Sequence, residues 1–272
     1  MSVVWFNGAL VDGLLTLDPA DRGLTLGDGL FETIAVYNDH AAWLDEHLTR
    51  MESAARELGI GFDIVKIHAG VAAVLAENKF DTAVMRITLT RGVVMPRALI
   101  GFGTAPSLFI TLSAFDPSHP TSITLAVSTI RRNETAPSSR LKTLSYSDNI
   151  AAAREVMERA DDALMLNTAG HVACTTIGNL FLVKGDLLIT PRFDQGILCG
   201  IARAKLLRHS HEMQLKPVET LVTLEDVFLA DAVFRTNSLR LATPVTMLDD
   251  KTLGTRPIHD IKHKLETLIG RI

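Results

Sequence analysis

The sequence predicts an α/β protein of the α+β kind in two domains, and three observations carry that reading. Apolar runs of strand period alternate with stretches of helical period, without internal repeats or low-complexity tracts. The 272 residues are 47% hydrophobic with a mean hydropathy of +0.22, enough to bury a large core. The stretch Ala114-Phe115-Asp116-Pro117-Ser118-His119-Pro120-Thr121 gathers two prolines among turn formers. It predicts a linker over 116–122, between a first domain of residues 1–115 and a second of residues 123–272.

Val3 to Phe6 and Ala9 to Val11 flank Asn7-Gly8, a two-residue hairpin signal because both central positions tolerate positive φ. Leu44, Leu48, Met51, Ala55 and Leu58 recur at helical spacing before Gly59, predicting a helix over roughly 45–58 that carries Arg50. Strands are expected at Ala83 to Thr90 and Leu108 to Leu112, and after the linker at Ile123 to Thr129. Ile150, Ala153, Met157 and Ala160 mark a further helix, followed by short strands at Ala163 to Leu166, Asn179 to Val183 and Leu187 to Ile189. Gly200-Ile201-Ala202 should open a helix running through Leu207. Thr223 with Asp226 approximates a capping box, and a last helix should begin near Pro257 and Ile258.

Charge and composition exclude several classes. The net charge of -4 and pI near 6.1 advertise no basic face for nucleic acid or an anionic membrane. Met1-Ser2-Val3-Val4-Trp5-Phe6 lacks a basic region before its short apolar run, which argues against a signal peptide, and no run reaches the roughly 18 apolar residues of a membrane span. Only Cys174 and Cys199 occur, so a disulfide framework is not expected and a reducing cytoplasm is the default. Gly101-Phe102-Gly103 lacks the third glycine of a dinucleotide fingerprint, and no nucleophile elbow is present. His209-Ser210-His211 has no cysteine or acidic pair at ligand spacing, so no metal site is expected.

Chemistry concentrates on Lys142, in Arg140-Leu141-Lys142-Thr143-Leu144-Ser145-Tyr146-Ser147. A solvated ammonium is no nucleophile, but a lysine in a partly dry pocket can lose its proton and form a Schiff base with an aldehyde. Downstream come Gly170-His171-Val172-Ala173-Cys174-Thr175-Thr176-Ile177-Gly178-Asn179-Leu180-Phe181 and Gly196-Ile197-Leu198-Cys199-Gly200-Ile201-Ala202-Arg203. Upstream lie Asp21-Arg22-Gly23-Leu24-Thr25-Leu26-Gly27-Asp28-Gly29-Leu30-Phe31-Glu32-Thr33 and His47-Leu48-Thr49-Arg50. In this order and spacing the chain resembles the class IV aminotransferases, the pyridoxal-phosphate family of branched-chain and D-amino-acid aminotransferases and aminodeoxychorismate lyase. The resemblance runs from about Asn7 to Val245.

The resemblance implies a fold-type-IV enzyme: an N-terminal α/β domain, a C-terminal barrel-like sheet with helices, and pyridoxal 5'-phosphate between them, in a homodimer. Lys142 would carry the cofactor, and Arg50 matches the family's phosphate-binding arginine. Ile201 and Ala202 fall at the phosphate-binding helix start, whose amides and dipole favour an anion; Ala202 keeps the amide of the family's threonine and loses its hydroxyl. Ser238 matches a further hydroxyl ligand. Cys174 stands where the family carries the glutamate that protonates the cofactor ring nitrogen, and a thiol is a weak donor and acceptor. Either Cys174 faces the ring nitrogen, or it is a small buried residue and Thr175, Thr176 or water makes the contact. Arg97 falls near a substrate-carboxylate arginine of the D-amino-acid and lyase branches, and Phe31 and Thr33 join the substrate side.

Three features lean toward an aminodeoxychorismate-lyase-like enzyme forming 4-aminobenzoate and pyruvate, in folate biosynthesis: the compact length, the Phe31-Glu32-Thr33 block, and Cys174. Its substrate would be a small carboxylate-bearing amine, with no nucleic acid or membrane partner. The alternatives are a transaminase of D-amino or branched-chain amino acids, using the same lysine, and a non-catalytic relative that binds pyridoxal phosphate, phosphate or protein; the retention of Lys142 argues against the last, since a pure binder has no need of it.

Overall fold

The computed structural model describes residues 3–94, 99, 105–118, 120–254 and 256–270. It divides into two compact units, Met1–Pro117 with Leu141–Tyr146 and Ser118–Arg140 with Ser147–Ile272. The division falls inside the stretch read as a linker. The short segment bearing Lys142 counts with the first unit rather than the second.

The first unit is built from β1 (Val4–Phe6), β2 (Ala9–Val11), α1 (Arg22–Leu26), β3 (Gly29–Tyr37), β4 (His40–Ala41), α2 (Leu44–Leu58), α3 (Ile64–Glu77), β5 (Thr82–Thr90) and β6 (Leu108–Ala114). Asn7 and Gly8 both take positive φ, 49° and 117°, which gives β1 and β2 the turn their antiparallel register needs. The six strands form an antiparallel sheet in the order β2-β1-β6-β5-β3-β4. Leu48, Met51 and Ala55 of α2 and Ile67, Val71 and Val74 of α3 pack on Ile34, Met85, Ile87 and Ile110 of the sheet. Gly70 of α3 sits where a Cβ would lie 2.7 Å from the Trp5 ring, so only glycine lets that helix close on β1. The α2 stripe was legible from spacing, whereas β3 and α3 were not assigned. β3 is the central strand of function: it pairs with β5 over nine residues. The Lys142 segment is fastened to its start by Phe31 N donating to Lys142 O at 3.0 Å and Leu144 N to Gly29 O at 2.9 Å.

The second unit comprises β7 (Ile123–Val127), α4 (Pro137–Arg140), α5 (Ser147–Val156), β8 (Asp162–Leu166), β9 (Val172–Thr175), β10 (Asn179–Lys184), β11 (Leu187–Pro191), α6 (Ile201–His209), β12 (Lys216–Thr220), α7 (Leu224–Phe228), β13 (Ala232–Asn237), β14 (Leu241–Leu248), β15 (Lys251–Thr252) and α8 (His259–Leu268). The order β10-β13-β14-β7-β8-β9 returns to β10 through the Asn179–Cys174 pairing, so six strands close into the expected barrel. β11 and β12 extend the sheet from β10, and β15 pairs with β14. Leu125, Leu164, Leu180, Leu182, Val233 and Val245 fill its core. The capping box at Thr223 and Asp226 forms in both directions.

One helix was found on the wrong stripe. α5 forms, but Ile150 and Met157 are 51% and 71% exposed, while Asn149, Ala152 and Val156 are buried. The buried Asn149 explains the shift: its amide donates to Thr176 O at 2.6 Å and its oxygen accepts from Arg132 at 3.0 Å. A polar residue with both ends satisfied can occupy a core position that periodicity reserves for apolar ones.

Candidate active site

Strand alternation decides which way β3 presents its side chains. Leu30, Ile34 and Val36 enter the core beneath the helices, and Glu32 falls on that same face at 1% exposure. α2 brings His47 and Arg50, one turn apart, to meet it. His47 Nδ1 lies 2.7 Å from Glu32 Oε2. Arg50 makes a forked contact, Nε to Oε1 at 2.9 Å and Nη2 to Oε2 at 2.5 Å. Burial pushes the Glu32 carboxyl up, but the Arg50 charge and the bonds from His47 and Arg50 outweigh it and hold the group at about 2. Burial pushes His47 down against the pull of Glu32, so the imidazole is neutral, with its proton assigned to Nδ1 by the bond it makes.

The neighbouring positions of β3 carry the other half of the cluster. Phe31 is buried, and its ring lies edge-on to Tyr146 at 5.3 Å between centroids. Lys142 Nζ stands 4.2 Å from the Phe31 centroid and 5.7 Å from that of Tyr146. The Arg86 guanidinium, from the β5 residue paired with Thr33, lies 3.9 Å from the Phe31 centroid. Burial pulls the Lys142 amine down to about 8, with Arg50 and Arg86 adding to the fall and Glu32 opposing it. An ordinary lysine keeps only about one amine in 3,000 neutral at pH 7; at a pKa of about 8 the fraction is about one in ten.

Lys142, Arg50 and Phe31 are thus brought together within one unit. Thr33 is half-buried on β3. Arg97 lies outside the described residues. Arg91 and Arg22 serve the frame: both donate to Asp28, at 2.7 and 2.8 Å, while Asp21 accepts from Thr90 and Ser107. Those bonds pin the Asp21–Gly29 loop that leads into β3. Glu32, His47, Arg86 and Tyr146 were not singled out from sequence, although a charged residue inside the apolar run Leu30 to Val36 is itself a signal.

In the second unit Cys174 lies on β9, buried beside Ala173 and Ile197 and paired with Asn179. Burial raises its thiol to about 11, so it is a neutral group despite the nearby Arg132 charge. The flanking hydroxyls are engaged elsewhere. Thr176 Oγ1 donates to Asp162 at 2.5 Å and Thr175 Oγ1 to Gly178 O at 3.4 Å. Asp162 also holds Arg235, and both are buried. Asn179 pairs with Thr236 of β13, donates to Leu198 O at 2.9 Å, and leaves room only for glycine at 200, where a Cβ would lie 2.1 Å from its Oδ1. Gly200 opens α6 without a side-chain cap. The amides of Ile201, Ala202 and Arg203 precede the first intrahelical bond, from Ala204 N to Gly200 O. Ser238 follows in the turn organised by Asn237 Oδ1, and the buried hydroxyl of Thr236 has no partner among the described residues. Arg203 is occupied by Glu219 and Pro191 O.

Among the described residues no cluster of histidine, cysteine or acidic side chains is placed to hold a metal, and no helix is long and apolar enough to cross a membrane. The family described as Amino-transferase class IV matches residues 29–248. The chain is 29% identical to the D-alanine aminotransferase of Bacillus licheniformis, over 93% of this chain and 90% of that one. It is 28% identical to the aminodeoxychorismate lyase of Bacillus subtilis, over 93% and 89%. The branched-chain aminotransferase from Thermoproteus uzoniensis superposes with a TM-score of 0.89 at 25% identity, covering 99% of this chain and 95% of that one.

Proposed function

The chain belongs to the class IV aminotransferase family, and we propose that within it the protein is a pyridoxal-phosphate enzyme of the lyase type, acting on aminodeoxychorismate. Enzymes of this family use pyridoxal phosphate, and the residues present fit that group at three points. Lys142 offers an amine that is part neutral at pH 7, Arg50 a guanidinium fixed by Glu32, and α6 a first turn of uncapped amides with a hydroxyl at Ser238 nearby in sequence to the orphaned Thr236. Arg50 and the α6 amides of Ile201 and Ala202 are therefore proposed as phosphate ligands, each on the geometry of its own unit. When bound, the cofactor supplies an aldehyde for the substrate amine and an electron sink for the carbon that bears it.

The single observation behind the lyase reading is Cys174. A neutral thiol cannot hold a pyridinium as a carboxylate would, so the electron sink is weaker. Elimination tolerates that better than transamination, because a leaving group takes the electron pair at once. In this reading Lys142 Nζ removes the proton from the ring carbon bearing the amine; the bond from the adjacent ring carbon to the enolpyruvyl oxygen breaks, the ring becomes aromatic, and the released enolpyruvate takes up a proton on its methylene carbon to become pyruvate. Arg86 suits a substrate of this kind. It is half-buried, its guanidinium lies over the same Phe31 ring that Lys142 Nζ approaches, and its planar fork matches a substrate carboxylate. A homodimer is proposed on the family resemblance, to be checked by light scattering.

The test is incubation of the purified protein with enzymatically made aminodeoxychorismate and, in parallel, with D-alanine or leucine plus 2-oxoglutarate. 4-Aminobenzoate with pyruvate in the first arm supports the reading. A new amino acid in the second, with no aromatic amine in the first, replaces it by a transaminase.

A further inference from the structure

In the first unit Arg50 and His47 both bond the Glu32 carboxylate, and the Lys142 segment is fastened to β3 at the adjoining residue, Phe31 N donating to Lys142 O at 3.0 Å. Lys142 is faced by Arg50 and His47 from α2, Arg86 from β5, Glu32 from β3 and Tyr146 from its own segment. Of these only Glu32 carries a carboxyl group. It is almost fully buried, yet it is held ionised by the Arg50 fork and the His47 bond. The His47 ring is itself fully buried and bonds Glu32 through Nδ1, while Nε2 has no partner among the described residues. Stability does not explain that imidazole, since an apolar ring would fill the space without an orphaned nitrogen.

We propose that Glu32 is a positioning residue of the site: clamped by His47, its carboxylate fixes the Arg50 guanidinium and serves as the counter-charge of Lys142. This rests on the reading of Lys142 as the reacting amine. Burial and two arginines disfavour the ammonium and the Glu32 carboxylate opposes them, which keeps a proton within reach of an amine that must both take and return one. The same carboxylate fixes the Arg50 guanidinium through its fork, Nε to Oε1 and Nη2 to Oε2.

The test follows Lys142 in the full chain without cofactor, by the pH dependence of trace acetylation with acetic anhydride, read by peptide mass spectrometry against exposed Lys79. The parent should show a midpoint near 8. In Glu32→Gln it should fall by a unit or more, raising the labelling rate at pH 7 severalfold, up to about tenfold, while Lys79 is unchanged. Inorganic phosphate should also bind the variant more weakly, through the loosened Arg50. A folded Glu32→Gln protein with an unchanged Lys142 midpoint overturns the proposal, and leaves Glu32 as a structural ion pair. If that variant does not fold, His47→Phe decides. It removes the clamp and keeps the carboxylate, and phosphate affinity equal to the parent's would equally overturn it. Labelling needs no cofactor, so the two ideas separate. If borohydride traps no pyridoxal phosphate on Lys142 while the midpoint still shifts, the proposed function fails and the counter-charge stands.

Discussion

Lys142 reaches its unusual state through residues that surround it rather than through its neighbours in sequence. With an amine lowered to about 8, it should be the residue that captures pyridoxal phosphate: borohydride reduction followed by peptide mapping is expected to place the label there. A label on another lysine would remove the catalytic reading. A buried amine of this kind also costs stability. Lys142→Met should abolish activity and yet raise unfolding free energy at pH 7 by about 1–2 kcal/mol, below the full linkage value because the amine is partly solvated. Cys174 is the second residue that decides chemistry. Cys174→Glu places a carboxylate where the thiol is held near 11, and should raise transamination relative to elimination by about tenfold, which needs about 1.4 kcal/mol. The ratio of new amino acid to pyruvate measures it. An unchanged ratio in a folded, cofactor-loaded variant would make Cys174 a bystander.

At the scale of elements, the site depends on close approaches that only glycine permits. Gly200 lets α6 start against Asn179, whose amide holds Leu198. Gly200→Ala should therefore displace Asn179, cost about 1–3 kcal/mol in a thermal melt, and weaken pyridoxal-phosphate retention measured by dialysis. Full retention in a stable variant would show that the helix start does not hold phosphate. β3 shows how one strand serves two purposes: its register puts Leu30, Ile34 and Val36 in the core and offers Phe31 to Lys142. A single-residue slip would exchange those faces, and the nine-residue ladder with β5 prevents it.

For the whole molecule, the buried charges set how stability follows pH. Glu32 has a folded value of about 2 against an ordinary 4.5, so its contribution is complete above about 4.5 and is lost as pH falls toward 2. Urea melts across that interval should show a steep acid limb that flattens in Glu32→Gln. An identical acid limb would mean that other carboxylates govern acid unfolding. Lys142 acts at the opposite end. Between about 8 and 10.5 the unfolded chain binds its proton and the native one does not, so this group adds stability as pH rises, and the advantage of Lys142→Met should shrink there.

What the sequence determined by itself was whatever rests on local pattern and fixed spacing. The Asn7-Gly8 turn, the α2 stripe ending at Gly59 and the Thr223–Asp226 box follow from backbone preferences of a few adjacent residues. The ordered blocks around Arg50, Lys142, Cys174 and Gly200 placed the chain in its family. Only the tertiary structure decided which groups become neighbours. The Lys142 segment counts with the first unit although it follows the linker, Asn149 takes a core position that Ile150 was expected to hold, and Arg86 and Lys142, more than fifty residues apart in sequence, both reach the Phe31 ring. Strand pairing and burial make those contacts. A charge inside an apolar run announces that it has partners, but the field it lives in, and hence whether a lysine is an inert cation or a base, is set by residues that meet only when the sheet has closed.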